Sequence, residues 1–202
     1  MAPVSAAPAP AVVAAVDSAG YDARPVSGYF VRRSGRRATQ KRWPKLTAVA
    51  DTRPRRILAA SVTRGPRRDA PQLLPVVRRA VQNTPVDTVL ADAGYDSEAN
   101  RATCRDRLGI RSTVIGLNWR GSRKWPKAKY RRQLVRRFRK KPRGSRSKRV
   151  YGRRAQAESA FSRNTRRLGA TVAAVARAYQ KTEILLKAFT HNVMLLAARI
   201  ST

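Results

Sequence analysis

VLADAGYDSEANRATCRDRLGI (89–110) begins as an apolar strand and stops on a carboxylate, Asp92. The chain carries 45 Lys plus Arg against 11 Asp plus Glu, so an acid at that spot needs a reason. A desolvated, unpaired Asp is costly. Either a positive group sits against it or the strand is edge-on to water. Beyond the strand, Ser97 or Asp96 caps a helix that runs to Leu108, with Gly109 in the usual C-terminal position. STVI (112–115) then reads as another short strand.

Upstream the pattern is different. VVAAVD (12–17), YFVRR (29–33), KLTAVA (45–50) and ILAASVT (57–63) are strand-like, and DTRPRR makes the turn between the last two. They form an antiparallel meander of about three strands. Asp69 is placed to cap a helix with Pro71 in its first turn. LLPVVRRAV continues it, kinked or started late by Pro75. VDTVLAD (86–92) completes the buried strand of the opening stretch. Strands first, then alternating helix and strand, define the α/β class: a mixed sheet, antiparallel meander plus parallel strands, flanked by helices.

The 202 residues suit one domain, with residues 1–11 expected to be disordered and 12–202 folded. From Asn118 to Arg149 there is no acidic residue, and Tyr130, Leu134 and Phe138 fall at i, i+4, i+8. This basic insertion (about 118–149) therefore holds a short amphipathic helix. A helical region carrying RRAQAESAFSRNTRRL and AYQKTEILLKAFTHNVMLLAARI follows. The net charge of +34 calls for a polyanionic partner, and nucleic acid releases counterions when its phosphates are neutralised. No apolar run is long enough to span a membrane, and the N-terminus lacks the basic start of a signal peptide. A cytoplasmic, nucleoid-associated setting is expected. The single Cys104 excludes an internal disulfide framework and a Cys-based zinc site; it and the lone His191 read as packing residues.

With so few acids, each is weighed singly. Asp22, Asp51, Asp87, Asp106 and Glu98 lie among Arg residues and read as solvated or ion-paired. Asp69 and Asp96 read as caps, and Glu183 as an electrostatic or capping residue. Asp17 and Asp92 instead follow apolar strand segments, at the sheet edge where ligands bind. Glu158 lies on a helix with Arg154 at i−4, and an i, i+4 ion pair is its alternative reading. Two strand-end Asp residues and a helix Glu are also the oxygen donors that hard divalent cations take, and a pair of such ions activates attack at phosphorus.

Three segments in this order resemble the catalytic core of insertion-sequence DDE transposases: VAAVDSAGYDARPVSGYFVRRSG with KLTAVADTRPRRILAASVTRGPRRDAPQL, VLADAGYDSEANR, and YGRRAQAESAFSRNTRRLG running into QKTEILLKAFTHNVMLL. The third is similar to a Tyr-x2-Arg-x3-Glu-x6-Lys signature. The resemblance covers nearly the whole chain and implies an RNase H-like fold. It also implies metal-dependent cleavage of transposon-end phosphodiesters, followed by strand transfer into target DNA. Asp17, Asp92 and Glu158 would be the catalytic triad holding Mg2+ or Mn2+, two ions in all, with Tyr151 and Arg154 steering the transposon end. Two positions depart: Thr165 stands at the signature Lys, followed by Arg166 and Arg167, and Ala93 stands where many relatives carry Lys. The end-binding region that relatives carry before the first Asp is expected to be missing.

The partner is then double-stranded DNA, transposon ends and target, bound by a homo-oligomer, with no membrane and no small-molecule substrate. Phosphates are assigned to Arg120, Arg123, Lys124, Lys127, Lys129, Arg131, Arg132, Arg136 and Arg137 of the insertion and to Arg166 and Arg167. Trp119 and Trp125 either stack on an unpaired base or anchor the insertion. The competing readings are a catalytically inactive remnant, an RNase H-like nuclease without strand transfer, and a non-enzymatic basic nucleic-acid-binding protein.

Overall fold

The computed structural model describes residues 11–23, 43–119, 125–139 and 146–200. The strand expected over 29–33 and the N-terminal segment 1–10 lie outside them. The strands are β1 (Val12–Gly20), β2 (Asp22–Ala23), β3 (Pro44–Asp51), β4 (Ile57–Arg64), β5 (Val86–Ala91), β6 (Ser112–Ile115) and β7 (Thr171–Val172). Five of them form one sheet in the order β4-β3-β1-β5-β6. β1, β3 and β4 make the antiparallel meander, and β5 and β6 add in parallel on the other side of β1. The two-residue strands β2 and β7 pair with each other. This is the mixed, helix-flanked α/β sheet expected from the strand pattern.

Alternation along β1 divides the helices between two faces. Ala14 and Val16 point to one side, where they pack with Val49, Val89 and Ala91 under α1 (Ala70–Asn83) through Leu73, Val76, Val77 and Ala80. The same layer takes in Tyr95, Cys104 and Ile110, which follow β5 through a 3-10 turn (Ala93–Tyr95), the short helix α2 (Glu98–Ala102) and its π-helical continuation to Arg107. Ala15, Leu90 and Val114 point the other way, onto Leu134 of α3 (Lys129–Arg139) and Ala157 and Ala160 of α5 (Ala155–Leu168). Farther along that face Leu46 and Ala48 meet Phe161 of α5 and Ile184 and Ala188 of the long α6 (Arg177–Ile200). A short α4 (Arg146–Gly152) precedes α5. No helix among the described residues is long and apolar enough to cross a membrane.

Several local expectations change. α1 runs through Pro75, which sits on its exposed side, where the carbonyl left without a donor meets water. The Asp69 side chain makes no cap bond; it pairs with Lys45 at 2.5 Å. Ser97 caps α2, accepting from the Asn100 amide. Asp96 is instead buried, paired with the fully buried Arg101 (2.5 Å) and with Arg131 (3.1 Å), and it accepts from the Asn118 amide. Glu98, read as solvated or ion-paired, caps a different helix: its two oxygens accept from the Tyr130 and Arg131 amides at the start of α3. Asp51 is buried and accepts from the Arg53 amide.

The basic insertion is therefore partly core. Pro126, Tyr130, Leu134 and Val135 are buried, while the cations Lys127, Lys129, Arg132, Arg136 and Arg137 stay exposed. Removing Leu134's side chain should destabilise the fold by about 2–5 kcal/mol, because α3 cannot follow the cavity without leaving its Glu98 cap. Urea unfolding of Leu134→Ala measures it; an unchanged midpoint would show that α3 is not part of the core.

Candidate active site at the β1–β5 junction

The parallel register of β1 and β5 ends at Val16 opposite Ala91. The next residues on the two strands are Asp17 and Asp92, on neighbouring chains about 4.8 Å apart. Asp92 does end its strand. Asp17 does not: β1 continues to Gly20, because β3 keeps pairing with it after β5 has turned away. Asp17 has the parity of Ala15 and so shares the face covered by α5. The small side chains Ala15, Ala157 and Ala160 let α5 lie close on the sheet, and Glu158 comes from that helix.

Burial raises the pKa of Asp17; the bond from its neighbour Ser18's amide opposes this, and the negative charges of Asp92 and Glu158 add to it, while Arg154 lowers it. The Asp17 and Asp92 carboxylates each accept from a nearby backbone amide, Ser18 (2.9 Å) and Gly94 (2.8 Å). Neither forms an ion pair among the described residues. Glu158 is more exposed and pairs with Arg154 at 2.7 Å. Of the two readings of Glu158 taken from the sequence, the i, i+4 ion pair with Arg154 is formed.

The surroundings are built tightly. A Cβ on Gly94 would lie 3.0 Å from Asp92 Oδ1, so a side chain there would press on that carboxylate. Gly116, just past β6, is crowded in the same way: its Cβ would be 2.8 Å from both the Tyr151 hydroxyl and the Ala93 amide nitrogen. Tyr151 thereby reaches the turn that follows Asp92. Its ring is held edge-on by Phe138 of α3, at 5.8 Å and 86°. On the opposite face of the sheet, the Ser18 hydroxyl bonds the hydroxyls of Tyr95 (2.6 Å) and Thr47 (2.8 Å), fixing the backbone beside Asp17.

A groove of about 590 Å3 opens beside Glu158, lined by Arg55, Arg163, Arg166 and Arg167 with Ser159 and Ser162. The sequence assigns Arg166 and Arg167 to phosphate; Arg55 and Arg163 carry no signal there. Arg55 belongs to the β3–β4 turn, and only the fold brings it to α5, where it donates to Gln156 (2.7 Å). Thr165 turns its hydroxyl back to the carbonyls of Phe161 and Ser162. Arg131, which the sequence also assigns to phosphate, pairs with Asp96 and donates to the Asn118 carbonyl. Its guanidinium also lies over the Trp119 ring at 5.8 Å, whereas Trp125 is exposed. Arg120, Arg123 and Lys124 lie outside the described residues. His191 is buried against the Arg55 carbonyl, and burial pushes the Cys104 thiol up to about 12, so both are packing residues.

Asp17 and Asp92, side by side by register, offer hard oxygen donors of like charge, which suit a divalent cation. Among the described residues no group of three acidic, His or Cys side chains is already gathered to hold an ion, Glu158 being turned to Arg154.

A family model described as "Transposase DDE domain" matches residues 8–193. The chain belongs to this family of transposase DDE domains. Among curated proteins none matches the chain significantly.

Because its folded-state pKa is raised, protonated Asp17 contributes stability that is fully present below the ordinary carboxylate value. That contribution is lost as pH rises through the raised value. Asp92→Asn removes one of the charges that raise it. Carboxyl NMR titration should show Asp17 ionising at lower pH in that variant; no downward movement would mean that the two acids do not face each other.

Proposed function

We propose that the chain acts as a DNA transposase, cutting phosphodiesters at transposon ends and joining the freed 3′ end to target DNA. The observation that carries this reading is the parallel register that ends with Val16 opposite Ala91 and leaves Asp17 beside Asp92, within a chain of net charge +34. Asp17, Asp92 and Glu158 would hold Mg2+ or Mn2+. Bound there, such ions supply Lewis-acid chemistry: a more acidic attacking hydroxyl and charge stabilisation on the leaving oxygen.

The remaining tasks fall to the chain's own residues. Asp17 and Asp92 stand on adjacent strands of a packed sheet, so their separation is set by the backbone. Arg154 orients Glu158. Tyr151, beside the end of β6, lines the approach for the DNA end. Arg55, Arg163, Arg166 and Arg167 take phosphates along the groove, with Lys127, Lys129, Arg132, Arg136 and Arg137 extending the cationic surface over α3. Arg120, Arg123 and Lys124 join them by their place in the basic run. Phosphate contacts of this kind position a duplex without reading its sequence.

Asp92→Asn tests the chemistry. Nicking of an end-containing duplex should fall by more than the ~100-fold that loss of an outer-shell partner costs a metal site. DNA affinity should persist, because a negative charge near phosphate has gone. Intact nicking would overturn the assignment. Loss of nicking in the wild-type chain as well, with binding retained, would favour the inactive DNA-binding reading.

If six to ten phosphates are engaged, affinity should fall about 10³–10⁵-fold between 50 and 200 mM salt. A filter-binding series measures the slope, and a flat response would remove DNA as the partner.

A further inference from the structure

Among the described residues, Arg55 in the β3–β4 turn is the one non-glycine with a positive φ, at 60°. A side chain is crowded in this left-handed region. Glycine or asparagine normally occupies it, and other residues stay there only where the surroundings enforce it. The turn DTRPRR (51–56) offers neither.

The enforcement comes from α6. The Asn192 side chain accepts from the Ile57 amide and donates to the Ile57 carbonyl, both at 2.8 Å, as a neighbouring strand would. His191, buried on the same helix, donates from Nε2 to the Arg55 carbonyl at 3.0 Å. Within the turn the Arg56 carbonyl accepts from the Asp51 amide, and the Asp51 side chain accepts from the Arg53 amide. The backbone on both sides of Arg55 is thereby fixed, and a return to negative φ would break one of these bonds.

The side chain is delivered to the groove. Arg55 Nε donates to Gln156 of α5 at 2.7 Å, and the residue lines the groove beside Glu158 together with Arg163, Arg166 and Arg167. Those three cations are set by the helix they share. Arg55 alone among the groove's arginines comes from the sheet side. Glycine at this position would be unstrained and would bring no charge.

We infer that Arg55 is a phosphate-contacting residue held against its own backbone preference, with His191, Asn192 and Gln156 as the positioning residues that act through it. The inference rests on the DNA reading above and adds to it the device that places one cation. Strain kept at a site is explained by what the strained residue touches, and here that is the groove.

The test separates strain from function. Arg55→Gly and Arg55→Ala both lack the guanidinium, and only alanine keeps the crowded Cβ. The glycine variant should therefore melt about 2–4 °C above the alanine variant. Arg55→Gly should also weaken duplex DNA binding about tenfold at moderate salt and reduce the slope of log affinity against log salt by about one. Arg55→Lys should retain that slope. Asn192→Ala, with its fold checked by circular dichroism, should weaken binding in the wild-type background and add nothing in the Arg55→Gly background. Gln156→Ala makes the same comparison through the side chain if Asn192→Ala folds poorly. A glycine variant melting no higher than the alanine variant, an unchanged salt slope in Arg55→Gly, or additive losses in the double variants would each overturn the inference and leave the DNA reading standing. A wild-type chain that binds no duplex overturns both.

Discussion

The parallel pairing of β1 with β5 is the constraint on which the rest of the molecule depends. β1 is hydrogen-bonded on both sides, antiparallel to β3 and parallel to β5. Neither its register nor its facing can slip without turning Ala14 and Val16 out of one core and Ala15 out of the other. With Val16 fixed opposite Ala91, Asp17 and Asp92 must lie side by side. Their mutual repulsion is a cost that the fold carries. Arg154 relieves part of it, and hydrogen bonds from Ser18 and Gly94 hold the two carboxylates in place. Like charges kept together at the end of the most constrained strand pair leave a standing demand for positive charge there.

The basic insertion would be a poor neighbour for that strand pair if it were merely solvated. Two acids draw it in. Glu98 terminates the backbone of α3 and Asp96 takes the Arg131 guanidinium, while Arg101 links Asp96 to the Ile115 carbonyl at the end of β6. A buried pair of this kind contributes little net stability, since desolvation offsets its attraction, but breaking it would leave a charge stranded in the core. Its consequence is positional. With α3 fixed, Phe138 can hold Tyr151 beside the turn that follows Asp92.

What is legible in the sequence is whatever depends on neighbours along the chain. The apolar runs VVAAV and KLTAVA, the Ser97 cap, the i, i+4, i+8 row of Tyr130, Leu134 and Phe138, and the Arg154–Glu158 spacing all have local causes, and the structure has each of them. Asp96, Glu98 and Asp69 take other roles than their neighbours suggest because their partners, Arg131, the start of α3 and Lys45, are distant in sequence. β1 outruns its apolar segment for the same reason: a charged residue ends a hydrophobic run but does not end a strand that β3 is still pairing. Arg55 reaches the groove without a local signal because a turn between two strands says nothing about which helix will pass over it.

The same distinction bears on Thr165, the departure that most affects the groove. A hydroxyl bonded to carbonyls of its own helix leaves no cation at that point, and the next helical turn does not supply a direct replacement. Arg166 is drawn back to the Ser162 hydroxyl through Nε (3.0 Å) and Nη2 (2.7 Å), a contact that fixes the guanidinium plane along the groove wall. Arg55 and Arg163 come from different elements and face the same space. Positive charge here is therefore a property of the wall rather than of one residue. The phosphate binding proposed for this wall, which would depend on summed charge within a Debye length more than on one contact, tolerates that exchange better than a bidentate recognition site would.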